Sequence, residues 1–529
     1  MLKRLADAER DGDRIYAVIK GIGSASDGRS LGLTAPCPDG QRRALERAYQ
    51  MAGISPAEVG LVEAHGTGTV VGDRTELAVL TELFTSAGTP IGSCTLGSVK
   101  SQIGHTKCAA GIAGLIKAAC AVHTGVRPPT SQLRDPNPYW DRSASPFSFD
   151  IAARPWAAST RRVAGVSAFG FGGTNFHAVL SSYEGAPGPR HGLDAWPAEL
   201  FLFAGTDRAA AVAELDRLAE LITANDAAGR PWRLRDLART VSASSGPRVW
   251  AAVVARNLDD LAIKLAQARD SAAEDGVFVA SSLNPPDSET AGQVAFLFPG
   301  QGSQRPGMLA DLFVAFPPLR RFLELGDRWS GAMFPPATFD KEESARARAA
   351  LTDTRVAQPA LGIAGLAMHE LLTSLGVQPD HLGGHSYGEL VALAAAGALD
   401  AAQLPELSEA RGQAILAAAG DDPGTMAAVT GAPEQIRAVL GDGPVVVANH
   451  NSPDQAVISG PTPAVAAALH RLTEVGLAGT RIPVACAFHS PVVAGATAVF
   501  ATELDRRTVR SPRLPVWSNT TAAPYPAGP

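Results

Sequence analysis

At 529 residues the chain is too long for one ordinary hydrophobic core, so about two to four domains are expected. Its 46% hydrophobic and 19% charged residues describe a globular chain, and a formal charge of -6 excludes the basic excess of a nucleic-acid surface. No apolar run is long enough to span a bilayer, and the opening "MLKRLADAERDGDR" lacks a signal-peptide core.

The first 182 residues read as alternating strands and helices, closing on the strand-like "FHAVLSS". "VGLVEAHGTGTVVGD" is an apolar strand ending in His65 and a Gly/Thr turn. "TLGSVKSQIGHTKCAAGIAGLIKAAC" is a short strand, a polar loop with Lys100 and His105, then a helix. That helix opens with small residues suited to close packing and carries apolar Ile112, Leu115, Ile116 and Ala119 at helical spacing. "VAGVSAFGFGGTNFHAVL" sets a glycine-rich turn between two strands. One histidine at a strand end is more often structural than catalytic. Two, each in a Gly/Thr loop, shift that balance without deciding it.

The motifs "EAHGTGT", "GSVKSQIGHTK" and "GFGGTNFHAVL" resemble the C-terminal half of β-ketoacyl synthases, over about residues 10–182. The resemblance implies half of a thiolase-like fold. It implies His65 and His105 as the histidines that assist decarboxylation of a carrier-bound malonyl unit. Lys100 would support His105, and Phe171 would gate the acyl-chain pocket. The family's nucleophilic cysteine belongs to an N-terminal half not present here. Cys94 and Cys108 do not match its motif and read as small core residues. The chain as written is expected not to condense acyl units.

"YEGAPGPRHGLDAWP" is rich in Gly and Pro and reads as a domain boundary. Residues 183–290 then hold an apolar strand ("ELFLFAG"), a long Ala/Leu helix pattern and a second strand ("WAAVVA"). This is a small α+β linker domain with no evident chemistry. A polar break, "SSLNPPDSETAG", leads into the last segment, residues 291–529.

That segment begins with "VAFLFPGQGSQ", a buried strand releasing the chain at a glycine loop, with Gln301 at its carboxyl end. "GHSYG" has the G-x-S-x-G spacing of a nucleophile elbow, which turns a strand sharply into a helix and exposes Ser386. Taken alone the motif is also compatible with a structural turn. A serine needs an adjacent base, and His489 in "AFHS" follows 103 residues later. Arg411, 25 residues after the serine, reads by itself as a solvated helix arginine. The stretch from "GTMAAVTG" to "HRLTEVG" reads strand, helix, strand, strand, helix, a ferredoxin-like order spanning about residues 422–482. Asn449 and His450 fall at a strand-to-strand turn, where turn chemistry accounts for them as well as substrate contact does.

The ordered motifs "FPGQGSQ", "GHSYGE", "EARGQA" and "AFHS" resemble malonyl/acyl-CoA:carrier-protein acyltransferases of fatty acid and polyketide synthases, over residues 293–520. That implies an acyltransferase with an α/β-hydrolase-like core and an inserted ferredoxin-like lid. It implies Ser386 as acyl-carrying nucleophile, His489 as general base, and the backbone N–H groups of Gln301 and Tyr387 as oxyanion hole. Arg411 becomes the fork that grips the extender's free carboxylate. Phe488 before the base looks like the malonyl-selecting version, its ring filling the space of an α-methyl branch.

The whole is expected to be α/β: a half ketosynthase (1–182), a linker domain (183–290) and an acyltransferase (291–529) short of its C-terminal end. Starting inside one family and stopping inside another suggests a fragment of an iterative polyketide synthase. "SDGRSLGLTAP" and "GSVKSQIGHTKCAAGIAGLIK" resemble the enediyne type; the alternative is a polyunsaturated fatty acid synthase. The expected partners are malonyl-CoA, an acyl carrier protein bearing phosphopantetheine, the missing N-terminal ketosynthase half and a second copy through the ketosynthase. No nucleic acid, membrane, metal or directly bound cofactor is expected. Five cysteines (37, 94, 108, 120 and 486) without C-x-x-C spacing suit a reducing cytoplasm. Two rivals stand beside this reading. A serine esterase would need an acidic residue between Ser386 and His489 and have no use for Arg411. A docking scaffold would take up no acyl group.

Overall fold

The apolar runs of the N-terminal segment pair into one six-stranded sheet. Its strands are β1 (Val18–Ser26), β2 (Leu61–Glu63), β3 (Cys94–Gly97), β4 (Phe147–Ser148), β5 (Val163–Gly170) and β6 (Thr174–Ser181). Their order is β1-β6-β5-β2-β3-β4. β2 lies parallel to β3 and β5, whereas β5, β6 and β1 form antiparallel ladders through the hairpin turn at Gly172 and Gly173. This computed structural model describes residues 1–28, 32, 35–157, 161–185, 188–189, 192–193, 195–244, 249–272, 274–280 and 292–526. "SSLNPPDSETAG" but for its last residue, and parts of "SDGRSLGLTAP" and "YEGAPGPRHGLDAWP", lie outside the described residues.

Helices α1 (Pro38–Ala52), α2 (Val70–Ser86) and α3 (Ala110–Thr124) accompany this sheet. Phe84 and Phe147 are completely buried between α2 and the sheet, each worth about 1.5–3 kcal/mol of apolar burial. On α3 the expected apolar stripe is split, with Leu115 and Ala119 packed against the core and Ile112 and Ile116 left out of it. Ala110, Gly114, Ala118, Ala121 and Val122 are the buried positions, while Ile112 and Ile116 are more than half exposed. The small residues bring the helix axis close to β2 and β5, and the isoleucines on the opposite side face outward.

Leu193–Gln293 forms a compact unit by itself. It contains β7 (Glu199–Ala204), α4 (Arg208–Ala227), α5 (Leu234–Ser244), β8 (Val249–Ala255), α6 (Leu258–Arg269) and β9 (Val277–Val279). The three strands form an antiparallel sheet around Phe201, Phe203, Trp250 and Val253, with Leu215, Leu218 and Leu261 of the helices packed on it.

Residues 1–192 and 294–529 belong to the other unit. Gly192 N donates to Ala315 O, and Arg142 pairs with Glu343 at 2.6 Å, so the two segments are joined by specific contacts. In the second of them, β10 (Ala295–Phe298) runs parallel to β11 (His381–Gly384), and Leu382 also bridges to Val516. Around these strands pack α7 (Thr354–Ser374), α8 (Gly388–Ala395) and α9 (Leu404–Ala419). The inserted subdomain runs β12 (Thr425–Thr430), α10 (Pro433–Leu440), β13 (Val446–Ser452), β14 (Gln455–Gly460), α11 (Thr462–Glu474) and β15 (Gly479–Ile482). Its strand order β13-β14-β12-β15, wholly antiparallel, is ferredoxin-like. Asn449 and His450 lie within β13, not at its turn, which falls at Pro453 and Asp454.

Candidate active site

The chain between β11 and α8 reverses so tightly that side chains are excluded on both sides of the turn. A Cβ on Gly384 would stand 1.9 Å from the Gly388 carbonyl carbon, and one on Gly388 would stand 2.1 Å from Phe298 O. Ser386 at the apex has φ +52°, a left-handed conformation that a serine holds only when its surroundings enforce it. Glu389 on the following helix accepts from Asn519 N and from the Tyr525 hydroxyl, both at 3.0 Å, and Asn519 Nδ2 donates to Gly384 O. The C-terminal residues thus fasten the elbow. Sequence reasoning missed them, because their partners lie about 130 residues away.

Ser386 Oγ lies 2.7 Å from His489 Nε2, the distance of a hydrogen bond in which the hydroxyl donates. His489 also has a left-handed backbone, at φ +58°. Desolvation, followed by the positive Arg411, lowers its pKa from 6.5, so the imidazole is neutral and able to take a proton at pH 7. Among the described residues no carboxylate bonds to His489. Among them, too, Tyr387 N and Gln301 N donate to no protein acceptor, leaving two backbone donors near the serine unspent. Phe488 is partly buried against Cys486 and Ile415, beside the base.

Arg411 is not a solvated helix arginine. It is partly buried on α9, and desolvation lowers its pKa. One guanidinium nitrogen, Nη1, donates to Gln358 Oε1 at 2.8 Å. Among the described residues it has no carboxylate partner. A desolvated guanidinium with an unpaired edge is suited to an incoming carboxylate. Gln358 and Thr354, both completely buried on α7, carry the bond onward to the Gln301 side chain. Neither was identified from sequence. Asn449 reaches over from β13, its Nδ2 3.1 Å from His385 Nε2.

The histidines of the first sheet are brought together as well. The His65 and His105 rings stand edge-on, 5.7 Å between centroids, with Phe169 5.8 Å from His65. Desolvation, then Lys100 and His105, push the His65 pKa down to about 4. His65 N and Gly66 N donate to Glu76, whose carboxyl is pushed up to about 7 by burial. Desolvation also lowers the pKa of Lys100. Phe171 stands apart, 85% exposed at the hairpin tip. Cys94 is buried as expected, but Cys108 is not a core residue: it sits exposed in a short turn before α3, whose small-residue face begins only at Ala110.

Known proteins share both halves of this arrangement. The family described as "Beta-ketoacyl synthase, C-terminal domain" matches residues 16–134, and the "Acyl transferase domain" family matches residues 295–527. The polyketide synthase GfsE of Streptomyces halstedii is 36% identical, over 98% of this chain and 14% of its own length. A polyunsaturated fatty acid synthase polypeptide of Thraustochytrium sp. is 33% identical, over 99% of this chain and 20% of its own. The chain therefore spans a small part of each relative. Among solved structures, the acyl transferase domain of SpnD in complex with 2-(pent-4-yn-1-yl)malonyl is similar in fold. It is 23% identical, with a TM-score of 0.51 over 64% of this chain and 77% of that one.

Proposed function

We propose that this chain, which matches a β-ketoacyl synthase C-terminal domain over residues 16–134 and an acyltransferase domain over residues 295–527, is part of a type I polyketide synthase and that its serine site transfers malonyl groups. The donor is malonyl-CoA and the acceptor is the phosphopantetheine thiol of an acyl carrier protein. The observation that carries this reading is the Ser386–His489 hydrogen bond beside an arginine that has no carboxylate of its own among the described residues.

Arg411 receives the free carboxylate of the malonyl group and aims its thioester carbonyl at Ser386. Ser386 Oγ attacks that carbonyl carbon while its proton passes to His489 Nε2. The developing oxyanion accepts from the N–H groups of Gln301 and Tyr387. As the tetrahedral species collapses, the C–S bond breaks and coenzyme A leaves as a thiol with the proton from His489. The carrier's thiol then gives its proton to His489 and attacks the malonyl ester, and the same steps run in reverse to free Ser386. Phe488 excludes an α-methyl branch.

In the intact synthase, His65 and His105 assist decarboxylation during condensation, Lys100 supports His105, and Phe171 gates the acyl chain. That condensation, pairing of two copies through the ketosynthase, and a cytoplasmic location are parts of the same proposal. The iterative, enediyne-type assignment rests on "GSVKSQIGHTKCAAGIAGLIK". The similarity to a polyunsaturated fatty acid synthase favours the second reading, in which the same site serves a fatty acid pathway. A serine esterase lacks support, since no carboxylate bonds to His489 among the described residues. The test is a rate comparison on one preparation. Transfer from malonyl-CoA to carrier protein is expected to outrun hydrolysis of p-nitrophenyl acetate, and the reverse order would overturn the proposal.

A further inference from the structure

A chain of hydrogen bonds through buried side chains connects the guanidinium of Arg411 to the loop that holds Gln301. Arg411 Nη1 donates to Gln358 Oε1 at 2.8 Å, and Gln358 Nε2 donates to Thr354 Oγ1 at 2.9 Å. Thr354 Oγ1 donates in turn to Gln301 Oε1 at 2.7 Å, and Gln301 Nε2 is left to the carbonyl of Thr352 at 3.4 Å. The direction of every bond follows from one fact. A guanidinium is a donor only, so Gln358 must present its oxygen to Arg411 and its amide to Thr354. Thr354, having accepted, has its own proton left for Gln301. No member can be turned round without orphaning another.

The geometry makes this more than the satisfaction of buried groups. Thr354 and Gln358 are one helical turn apart on α7, both 0% exposed, so water cannot replace either. Gln301 lies in a Gly-Gln-Gly loop whose Gly302 has φ +111°, a backbone with little stiffness of its own. The loop is held by Gly302 N donating to Gln304 Oε1, by Ser303 Oγ donating to Gly300 O and by the side chain of Gln301, the one of these tied to the relay; the Gln301 backbone N–H is one of the two unspent donors. Bonds in series in a low-dielectric interior polarise one another. A carboxylate binding the free edge of Arg411 restrains the guanidinium, and the restraint passes through two buried side chains to the oxyanion donor.

We propose that Thr354 and Gln358 are positioning residues that couple carboxylate recognition at Arg411 to placement of the Gln301 oxyanion donor. The inference rests on the acyltransferase reading of the site. Its consequence is that a dicarboxylic acyl group is favoured in the acylation step itself and not merely in binding. Neither residue touches the substrate.

The experiment measures single-turnover acylation of Ser386 by malonyl-CoA and by acetyl-CoA. The proteins are wild type, Thr354→Val, Thr354→Ser, Gln358→Met, Arg411→Ala and the Thr354→Val/Arg411→Ala double variant. Thr354→Val is expected to slow malonyl acylation about tenfold, the upper scale of a neutral buried hydrogen bond, with little change in half-saturating concentration. Acetyl acylation should fall by less than about threefold, since no carboxylate engages the relay. Thr354→Ser should restore the malonyl rate, and Thr354→Val should cost malonyl nothing further once Arg411 is gone. Gln358→Met, which keeps the side-chain volume, should reproduce the selective loss and serves if Thr354→Val does not fold. Equal losses for the two substrates, or additive effects in the double variant, would overturn the coupling while leaving the acyltransferase reading intact. A wild type that takes no acyl group on Ser386 would overturn both.

Discussion

His489 and His65 are both imidazoles whose surroundings lower their basicity, yet those surroundings differ in what they place against the ring. His489 is hydrogen-bonded to a serine at 2.7 Å, both residues are held in left-handed conformations, and an arginine without a carboxylate partner stands nearby. His65 has His105 and Phe169 as ring neighbours, Glu76 bonded to its backbone, and a buried Nδ1 without a partner. No nucleophile bonds to it among the described residues. Cys94 is sealed in the sheet with its thiol pKa raised by burial, and Cys108 is exposed. One region holds an assembled nucleophile and base. The other holds two neighbouring histidine rings with no nucleophile bonded to His65 among the described residues. The contrast shows that a depressed histidine pKa marks desolvation in both places, and that the hydrogen-bonded serine is what distinguishes His489 from His65.

The comparison breaks if histidines of both regions matter to acyl loading. His489→Ala should slow loading of malonyl by roughly a hundredfold or more, the usual loss of a positioned base. His65→Ala should leave the rate within about twofold, because that ring takes no part in the serine chemistry. Stopped-flow release of coenzyme A reads both. A smaller effect of Arg411→Ala sharpens the contrast between the sites. Malonyl loading should fall about ten- to a hundredfold, the range of a lost charge-assisted bond, and acetyl loading much less. Equal losses would remove the carboxylate clamp.

Phe488→Ser should shift the competition between malonyl-CoA and methylmalonyl-CoA toward the branched extender by about tenfold. One methyl group in an apolar pocket discriminates by only about 1–3 kcal/mol. No gain in methylmalonyl loading would mean that another residue selects. The smallest effect is on pH. Loading needs neutral His489, and desolvation together with Arg411 disfavours its imidazolium. The rate should therefore stay high as pH falls through 6.5 and drop only below it, so the acid limb of kcat/KM has its midpoint under the ordinary histidine value. A midpoint at or above 6.5 would assign the limb to another group.

Local motifs made the serine turn and the histidine loops readable as structure. "GHSYG" encodes its own turn: a side chain at Gly384 would strike Gly388, four residues on, before any distant part of the chain is met. The ferredoxin-like order was equally legible, since each strand and helix declares itself by period. What escaped was decided by packing across the chain. Thr354 and Gln358 lie 53 residues from Gln301 and Arg411 respectively, and only the approach of α7 to α9 makes them a relay. The exposed Ile112 and Ile116 show the same limit. Helical spacing placed Leu115 and Ala119 against the core, but the fully buried positions of α3 are mostly the small residues beside them, because they let the helix come closer.

The most direct test of the account asks where the acyl group goes. After brief incubation with malonyl-CoA, intact-mass measurement should show one malonyl group per chain, and peptide mapping should locate it on Ser386. Ser386→Ala, which removes one oxygen and no core volume, should fold normally and gain no mass. A chain that gains nothing, or a Ser386→Ala variant that still carries the adduct, would contradict the account.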